Sequence, residues 1–532
     1  MNPCFQNIIN HLVGASDGTS PSGVSAAKLF HPGQSDERAI ATNINAAFLI
    51  LCCGPGHPMH EQARRYLEIM SQDRGHGATA RFYFGGVDRV SRELSVAVRS
   101  APALKRALYE AEAWCRQNHR LSRDGIDRLW NVFFPEGVGC INDPKKRIRD
   151  LRAARKIEIT TPNPDPIKRP SRQVLFMSNL LITLPADPDQ IDTRLCSAGI
   201  CEQVRQAART TQKYWYDHPI QIGTRPENNE AIYGLRGLNA AMRVEKERGG
   251  ARADDKLICI LSVSVTHEGL QEVATRYLRE VYSEIEPLPH LKVFIISEAD
   301  TRRMVEEVLI PGAEQMLGIS GESPFEDIFG VDGEYGRHYS FLKAFSAIWQ
   351  VLIDPGVKAS FKIDMDQVFD QTALIKETGR SALEHFITPL WGAEGVDTSG
   401  RAVDLGLMAG ALVNEKDIEN GLFTPDVTVP DGMPGGESLI FYSRLPQAIS
   451  THAEMMTRYD TPRLDGVKSC IHRIHVTGGT CAALIRSLRA YRPFTPSFIG
   501  RAEDQAFLLS TLFSDPDPSL RYLHKPGLIS RR

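Results

Sequence analysis

The sequence predicts an α/β protein with a mainly parallel sheet, preceded by a mainly helical N-terminal region. From about residue 215, short apolar runs alternate with amphipathic helical stretches, which is the pattern of βαβ units. Up to about residue 155 the pattern is mainly helical, with loops rich in glycine, serine and proline. Because ligands of parallel sheets bind at the carboxyl ends of the strands, we expect the chemistry to follow the strands.

Three segments follow from this change of pattern: a helical region (1–155), a linker and connecting segment (156–214) and an α/β domain (215–532). The linker prediction depends on the prolines of residues 160–166, which deny that stretch regular structure. The predicted strands of the α/β domain are 219–223, 256–262, 291–297 and 360–364. Its predicted helices are 230–248, 269–284, 301–309 and 339–352.

Composition excludes several classes of protein. The 62 lysines and arginines balance 65 aspartates and glutamates, so no overall field attracts nucleic acid or an anionic membrane. The longest apolar run, residues 46–53, is too short to span a bilayer, and residues 1–7 do not resemble a secretory signal, so we expect a cytoplasmic location. The 10 cysteines include no C-x-x-C pair and are expected to be reduced, buried thiols. The oligomeric state stays open, a homo-oligomer included.

The segment 359–367 is an apolar strand that ends in two aspartates, Asp364 and Asp366. In an extended chain residues i and i+2 point the same way, so both carboxylates can face one ion. Carboxylate oxygens suit Mg²⁺ or Mn²⁺, and either ion can bridge the oxygens of a diphosphate. The alternative interpretation is a strand end followed by a polar turn.

Three further segments follow in order. They are a glycine loop with Gly478 and Gly479, a helix that opens with Glu503 and Asp504, and a late histidine, His524. Together with the strand-end aspartates, this order resembles the GT-A fold of nucleotide-sugar-dependent glycosyltransferases, in particular the inverting, family-two-like members. The resemblance covers roughly residues 215 to 530 and implies a Rossmann-like catalytic domain.

The resemblance also implies roles for these residues. Asp364 would contact the nucleotide ribose or a metal-bound water, while Asp366 and His524 would ligate the divalent ion that neutralises the departing diphosphate. An imidazole ligand suits Mn²⁺ better than Mg²⁺. The glycines Gly478 and Gly479 would let the backbone approach the sugars closely, whereas a plain tight turn is the competing interpretation.

Asp504 would be the general base that removes the acceptor hydroxyl proton in an inverting displacement, and Glu503 would position the acceptor. Acidic residues at a helix start also have a purely structural explanation, because the positive end of the helix dipole stabilises their negative charge. In a retaining enzyme, Asp504 would bind the acceptor without acting as a base.

The resemblance places further donor contacts in three segments of the chain. Thr224, Arg225 and Glu227 follow the first predicted strand of the domain, and Asp300 follows the third, where the nucleobase and ribose would lie. An ordinary strand-to-helix cap would look the same. Arg337 and Lys343 precede the strand of Asp364 by about one helix and would contact the diphosphate. For these two residues, a charged helix face is the alternative.

The sequence therefore predicts a metal-dependent glycosyltransferase that moves a sugar from a nucleotide-diphosphate donor to a hydroxyl acceptor, a sugar or small molecule. Its expected partners are the donor and the acceptor, with Mn²⁺ or Mg²⁺ as cofactor. A sugar nucleotidyltransferase, which also uses paired aspartates, is one alternative. A noncatalytic protein that binds a nucleotide or carbohydrate through a degenerate site is another.

Overall fold

The computed structural model describes most of the chain, in two compact units. The described residues are 2–14, 20–34, 36–73, 76–118, 120–133, 143–189, 191, 196–210, 212, 219–319, 325, 339–425, 427, 445–459, 464–476, 479–491 and 518–532. The first unit comprises Met1–Ile148 and Val427–Ile449, and the second comprises Arg149–Asp426 and Ser450–Arg532.

Helices occur in both units and are numbered here in chain order. They are α1 (Pro3–Val13), α2 (Ala26–Leu29), α3 (Glu37–Cys53), α4 (His60–Met70), α5 (Gly77–Ser100), α6 (Pro102–Gln117), α7 (Arg123–Phe133), α8 (Pro144–Ala154), α9 (Pro170–Gln173), α10 (Ala198–Ala207), α11 (Glu230–Glu247), α12 (Gln271–Glu284), α13 (Glu298–Met304), α14 (Ile310–Leu317), α15 (Tyr339–Leu352), α16 (Gln371–Thr378), α17 (Leu445–Ser450) and α18 (Ile485–Ala490). Among the described helices, none is both long enough and apolar enough to cross a membrane.

The strands that the structure describes all lie in the second unit. They are β1 (Lys156–Thr161), β2 (Val174–Thr183), β3 (Ile220–Gln221), β4 (Leu257–Val265), β5 (Leu291–Ile296), β6 (Ala359–Lys362), β7 (Glu394–Asp397), β8 (Ala402–Val413), β9 (Ser469–Arg473), β10 (Cys481–Leu484) and β11 (Ser519–Arg531). Short 3₁₀ and π-helical turns complete the described structure at Pro226–Asn228, Val305–Leu309, Leu383–Phe386, Glu415–Asn420 and Thr451–Met455.

The first unit has an apolar core of its own. Helix α1 begins at Asn2, whose side-chain oxygen accepts hydrogen bonds from the backbone N–H groups of Cys4 and Phe5, as an N-cap does. One face of α1 is buried and carries Phe5, Ile8, Ile9, Leu12 and Val13. Glu112 on α6 is also buried and accepts a hydrogen bond of 2.6 Å from the Asn7 amide. A polar contact and apolar packing therefore join α1 to this unit.

The second unit is built on one mixed sheet. Its strand order is β11-β9-β1-β7-β8-β10-β6-β2-β4-β5, with β3 paired to β2 and β11 also paired to β8. Because β11 pairs with both β9 and β8, the strands β11, β9, β1, β7 and β8 close into a small barrel. Strands β2, β3, β4, β5 and β6 are mutually parallel, whereas β10 is antiparallel to β6 and β8.

The predicted α/β class is confirmed, but the sheet is mixed rather than mainly parallel. The four predicted strands correspond to β3, β4, β5 and β6, of which β3 is only two residues long. The predicted helices correspond to α11, α12, α13 and α15, and α13 changes to a π-helical turn at Val305. Sequence analysis missed the antiparallel strands because their partners are remote in the chain, as in the pairing of β1 with β7 and β9.

The prediction of a linker over residues 156–214 is wrong. This segment contains β1, β2 and α10, and β2 is a central strand of the sheet. The prolines of residues 162–166 do mark a loop, but that loop only separates β1 from the short helix α9. Nine of the ten residues of β2 are buried. The sequence signal for such a strand is an apolar run that is continuous rather than alternating.

A buried carboxylate joins the amino ends of the neighbouring strands β2 and β4. Asp255, just before β4, is 1% exposed and accepts hydrogen bonds from Arg169, Ser171, Arg172 and the backbone N–H of Arg252. The first three donors lie just before β2. Burial alone would raise the pKa of Asp255, but these hydrogen bonds outweigh it and lower the pKa to about 2. The carboxylate is therefore ionised and fully bonded at neutral pH.

Asp255→Asn should lower the free energy of unfolding at pH 7 by about 2 kcal/mol, since hydrogen bonds to charged groups contribute about 1.5–3 kcal/mol. The pKa of Asp255 is lower in the folded chain than its ordinary value of 3.8. The stabilisation is therefore present above about pH 4 and is lost as the pH falls toward 2. Urea unfolding at several pH values measures this difference.

The matched control is Asp254→Asn, since Asp254 is 74% exposed and pairs with Arg172 at the surface. We expect it to change stability by less than about 1 kcal/mol. A wild-type advantage over Asp255→Asn that stays constant between pH 7 and pH 3 would contradict the role given to the Asp255 carboxylate.

Candidate functional site

The candidate site lies where the parallel strands reverse their order. Strands β5, β4, β2 and β6 are adjacent in that order, so the chain adds β4 and β5 on one side of β2 and then β6 on the other. In doubly wound sheets such a reversal is the topological switch point, and ligands bind beyond the carboxyl ends of the strands there. Asp364 and Asp366 follow β6 directly, so both lie at this edge.

The two aspartates lie in a turn rather than in an extended strand. Strand β6 ends at Lys362, and the backbone N–H of Gln367 donates to the carbonyl oxygen of Asp364 at 3.0 Å. The prediction that alternation along a strand orients both carboxylates is therefore wrong. A tight turn of four residues presents Asp364 and Asp366 instead, and its conformation determines where the carboxylates lie.

Hydrogen bonds from remote parts of the chain hold this turn. Gln367 is 4% exposed, and its side-chain oxygen accepts hydrogen bonds from Thr480 at 3.1 Å and Ser530 at 2.9 Å. The Gln367 amide nitrogen lies 3.4 Å from a carboxylate oxygen of Asp364. The turn after β6 is thereby connected to the start of β10 and the end of β11. Gln367 and Ser530 are positioning residues that sequence analysis missed.

Gly479 is one predicted site residue that the structure brings to the turn. A Cβ atom at Gly479 would lie 2.1 Å from the Gln367 amide nitrogen and 2.7 Å from the Asp364 carboxylate. Only a glycine allows this approach, because any other side chain would displace Gln367 or Asp364. Gly479 and the aspartate turn are therefore adjacent.

Asp366 carries a cation in this structure. The Arg532 guanidinium lies 2.7 Å from a carboxylate oxygen of Asp366. Backbone hydrogen bonds between Val368 and Arg531 in both directions hold the end of β11 beside the turn. The Arg532 side chain is 48% exposed, so this ion pair lies at the surface.

His524 does not join the aspartates, so its predicted place in a three-ligand metal site is wrong. The ring is 1% exposed, its Nε2 lies 2.8 Å from the carbonyl oxygen of Thr457, and it packs edge-on against Tyr459. Burial lowers the pKa of His524 well below its ordinary value. Across the described part of the chain, no group of three His, Cys, Asp or Glu side chains could hold a metal ion. The reason for preferring Mn²⁺ to Mg²⁺ is therefore removed.

The residues after β3 do lie at the same edge of the sheet. β3 pairs with β2 at Ile182 and Thr183, near the carboxyl end of β2. The hydroxyl of Thr224 donates to the carbonyl oxygen of Gln221 at 2.6 Å, so it closes its own turn. Arg225 and Glu227 are exposed, and both are accessible to a ligand.

Asp300 also lies at this edge, after β5, but it has a structural role. Its carboxylate accepts hydrogen bonds from the backbone N–H and the hydroxyl of Ser297, and it completes a capping box at the start of α13. The predicted contact to a nucleobase would compete with this cap.

The structure gives no side-chain contacts for five of the predicted positions. Arg337, Gly478, Glu503 and Asp504 lie outside the described residues. Lys343 belongs to helix α15, of which the structure describes the backbone at this position. The acceptor side of the predicted site therefore stays a prediction.

Asn179 is a candidate that sequence analysis missed. It lies in β2, and within the described structure neither its amide nitrogen nor its amide oxygen has a hydrogen-bond partner, although both atoms are buried. On the edge of β2 that faces β6, described strands pair only with residues 174–177 and 182–183. Asn179 lies in the gap between them. The sequence signal for Asn179 was a polar residue inside an apolar run. In a folded protein, an unpaired buried amide usually indicates a bound water or ligand.

Gly479→Ala should lower the free energy of unfolding by about 1–3 kcal/mol, the usual cost of overpacking. The new methyl group must displace the Gln367 amide, which two hydroxyl groups hold in place. The control is Gly199→Ala in α10, where an added Cβ atom meets nothing within 4 Å. Equal unfolding midpoints in urea for the two variants would contradict the close approach at Gly479.

Comparisons with known proteins add no family to this description. A scan of protein-family models finds none that matches the chain, and a search of curated protein sequences finds no match. The functional interpretation therefore depends on the residues and the geometry of the chain itself.

Proposed function

We propose that the chain is a metal-dependent glycosyltransferase with a GT-A catalytic domain, which transfers a sugar from a nucleotide-diphosphate donor to a hydroxyl acceptor. One observation carries the proposal: the turn with Asp364 and Asp366 lies at the carboxyl end of β6, beside β2, at the switch point of the parallel strands. Nucleotides bind at this position in doubly wound sheets. Gly479 is a second support, since the same resemblance implies that it belongs to the donor site and it lies against Asp364.

The two aspartates fit a divalent ion of the magnesium type. Mg²⁺ is commonly bound by one or two carboxylates together with the phosphate oxygens of a substrate, so a histidine ligand is not required. Asp366 already binds a cationic group, the Arg532 guanidinium, in this structure. When bound, the metal ion would neutralise charge that develops on the departing diphosphate. Mg²⁺ and Mn²⁺ are therefore both retained as cofactors.

Polar groups at the same edge support a site for the donor. The hydroxyl groups of Thr183 and Thr266 lie 2.7 Å apart at the ends of β2 and β4, and His267 follows at 2.9 Å from Thr266. Burial lowers the pKa of His267, so the imidazole is neutral at pH 7. Neutral hydrogen-bonding groups and exposed Arg225 suit a ribose and a diphosphate better than they suit an apolar ligand.

For the acceptor half, the proposal assigns Asp504 as the base and Glu503 as the residue that positions the acceptor. The acceptor hydroxyl would lose its proton to the Asp504 carboxylate as its oxygen attacks the anomeric carbon, with inversion at that carbon. The sugar, the nucleobase and the acceptor are open to experiment.

The test is to incubate the purified chain with a panel of nucleotide sugars and hydroxyl acceptors, with Mg²⁺, with Mn²⁺ and with a chelator. We expect metal-dependent release of a nucleoside diphosphate. Asp366→Asn should lower the turnover by at least about a hundredfold, because it weakens charge stabilisation of the leaving group.

The matched control is Asp354→Asn. Asp354 lies before β6, at the end of the strand opposite Asp366, and its carboxylate accepts a hydrogen bond from the backbone N–H of Gly356. The turnover of the Asp354→Asn variant should equal that of the wild type. Release of pyrophosphate instead of a nucleoside diphosphate would favour the nucleotidyltransferase alternative, and full activity of Asp366→Asn would exclude the assigned metal site.

A second prediction concerns Asn179→Leu. The substitution removes an unsatisfied buried amide, so the free energy of unfolding without ligand should rise by about 1–3 kcal/mol. Because the amide is proposed to contact the donor, the dissociation constant of the donor should increase by about tenfold or more. Thermal unfolding and calorimetric titration with the nucleotide sugar measure the two quantities. An unchanged donor affinity would remove Asn179 from the site.

A further inference from the structure

The second unit contains a cavity whose lining differs from the residues of the candidate donor site. It encloses about 480 Å³, within the range that holds a small organic ligand. Its wall comes from the end of α16, the segment before β7, the residues after Thr457 and the middle of β11. Among the residues of the predicted donor site, it contains His524 alone.

A bulge in β11 brings Lys525 to this cavity. His524 pairs with Ala409 and Ile529 with Ala411, so β11 advances five residues while β8 advances two. Three extra residues therefore leave the regular ladder. Gly527, at φ 86°, completes the bulge, and a Cβ atom there would lie 2.6 Å from the ring of His385. The bulge requires glycine at this position, and it turns the preceding Lys525 away from the strand pairing.

Two cations of this cavity, Lys525 and Arg380, have no anionic partner among the described residues. Within the described structure, neither Lys525 nor Arg380 forms an ion pair, although both line the cavity and Lys525 is only partly exposed. The pKa of His385, which also lines the cavity, is lowered to about 3. Burial is the largest cause, and the positive charges of Lys525 and Arg380 add to it. The charges are therefore close enough to act on one buried ring. Arg380 is exposed and Lys525 is partly exposed, so the cost of their like charges is mutual repulsion at close range, and an anion between them would remove that cost.

The carboxylates of the cavity are already bound. Glu377 pairs with Arg458 at 3.1 Å and accepts a hydrogen bond from the backbone of Leu422. The Arg458 guanidinium also stacks 3.7 Å from the centre of the Phe423 ring. Asp465 accepts hydrogen bonds from the backbone N–H groups of residues 467, 468 and 469. Neither acid is therefore available to neutralise Lys525 or Arg380.

We propose that this cavity binds a small anionic ligand, whose carboxylate or phosphate group lies between Lys525 and Arg380. A lysine ammonium and an arginine guanidinium are the side chains that bind such oxyanions. The volume of about 480 Å³ leaves space for a ligand larger than the anionic group itself. The proposal does not depend on the glycosyltransferase function, because it concerns a different cavity of the same unit.

The test is calorimetric titration of the full chain at constant ionic strength with glycerol 3-phosphate, glycerate and glycerol. At least one of the two anions should bind, and the anion that binds identifies the source as phosphate or carboxylate. Glycerol lacks the charge and should not bind. Lys525→Met and Arg380→Gln should each weaken binding of the anion by about tenfold or more.

Lys376→Met is the control, because Lys376 is an exposed lysine on the same helix as Glu377 but does not line the cavity. It should bind the anion with wild-type affinity. Arg380 is exposed, so Arg380→Gln keeps the test valid if Lys525→Met fails to fold. The proposal is overturned if neither anion binds, if glycerol binds equally well, or if Arg380→Gln keeps the wild-type affinity.

Discussion

Strand β2 is the constraint on which the rest of the second unit depends. Nine of its ten residues are buried, so its backbone N–H and C=O groups must be paired within the protein. Strand β4 satisfies one edge, and β6 and β3 satisfy parts of the other. The Asp255 carboxylate holds the amino ends of β2 and β4 together. The positions of the neighbouring strands, and with them the carboxyl-edge site, follow from the need to cover this one strand.

The candidate site is assembled by contacts between parts of the chain that are remote in sequence. The Gln367 side chain accepts hydrogen bonds from residues 113 and 163 positions away, and Asp366 pairs with Arg532. Such contacts form only after β6, β10 and β11 have found their places in the sheet. They also explain why the turn after β6 is well defined although it is not part of any strand.

Charge is distributed unevenly within the second unit. Carboxylates are presented at the carboxyl edge by Asp364 and Asp366, whereas Lys525 and Arg380 line the cavity beside the β11 bulge. The formal net charge of -3 is therefore a sum over groups of opposite sign that lie at different places in the fold. Irregular backbone presents both sets of charges, a turn for the aspartates and the β11 bulge for Lys525. Regular strand pairing would give these side chains other directions.

The sequence by itself determined the α/β class, the strands from β4 to β6 and the helices between them, because apolar periodicity acts over a few residues. The GT-A resemblance also indicated Asp364, Asp366 and Gly479 as candidate site residues. Only the tertiary structure decided that β2 is a central strand, that five strands close a barrel, and that His524 binds Thr457 rather than a metal with the aspartates. These outcomes depend on which remote segments pair, and local sequence patterns do not encode that choice.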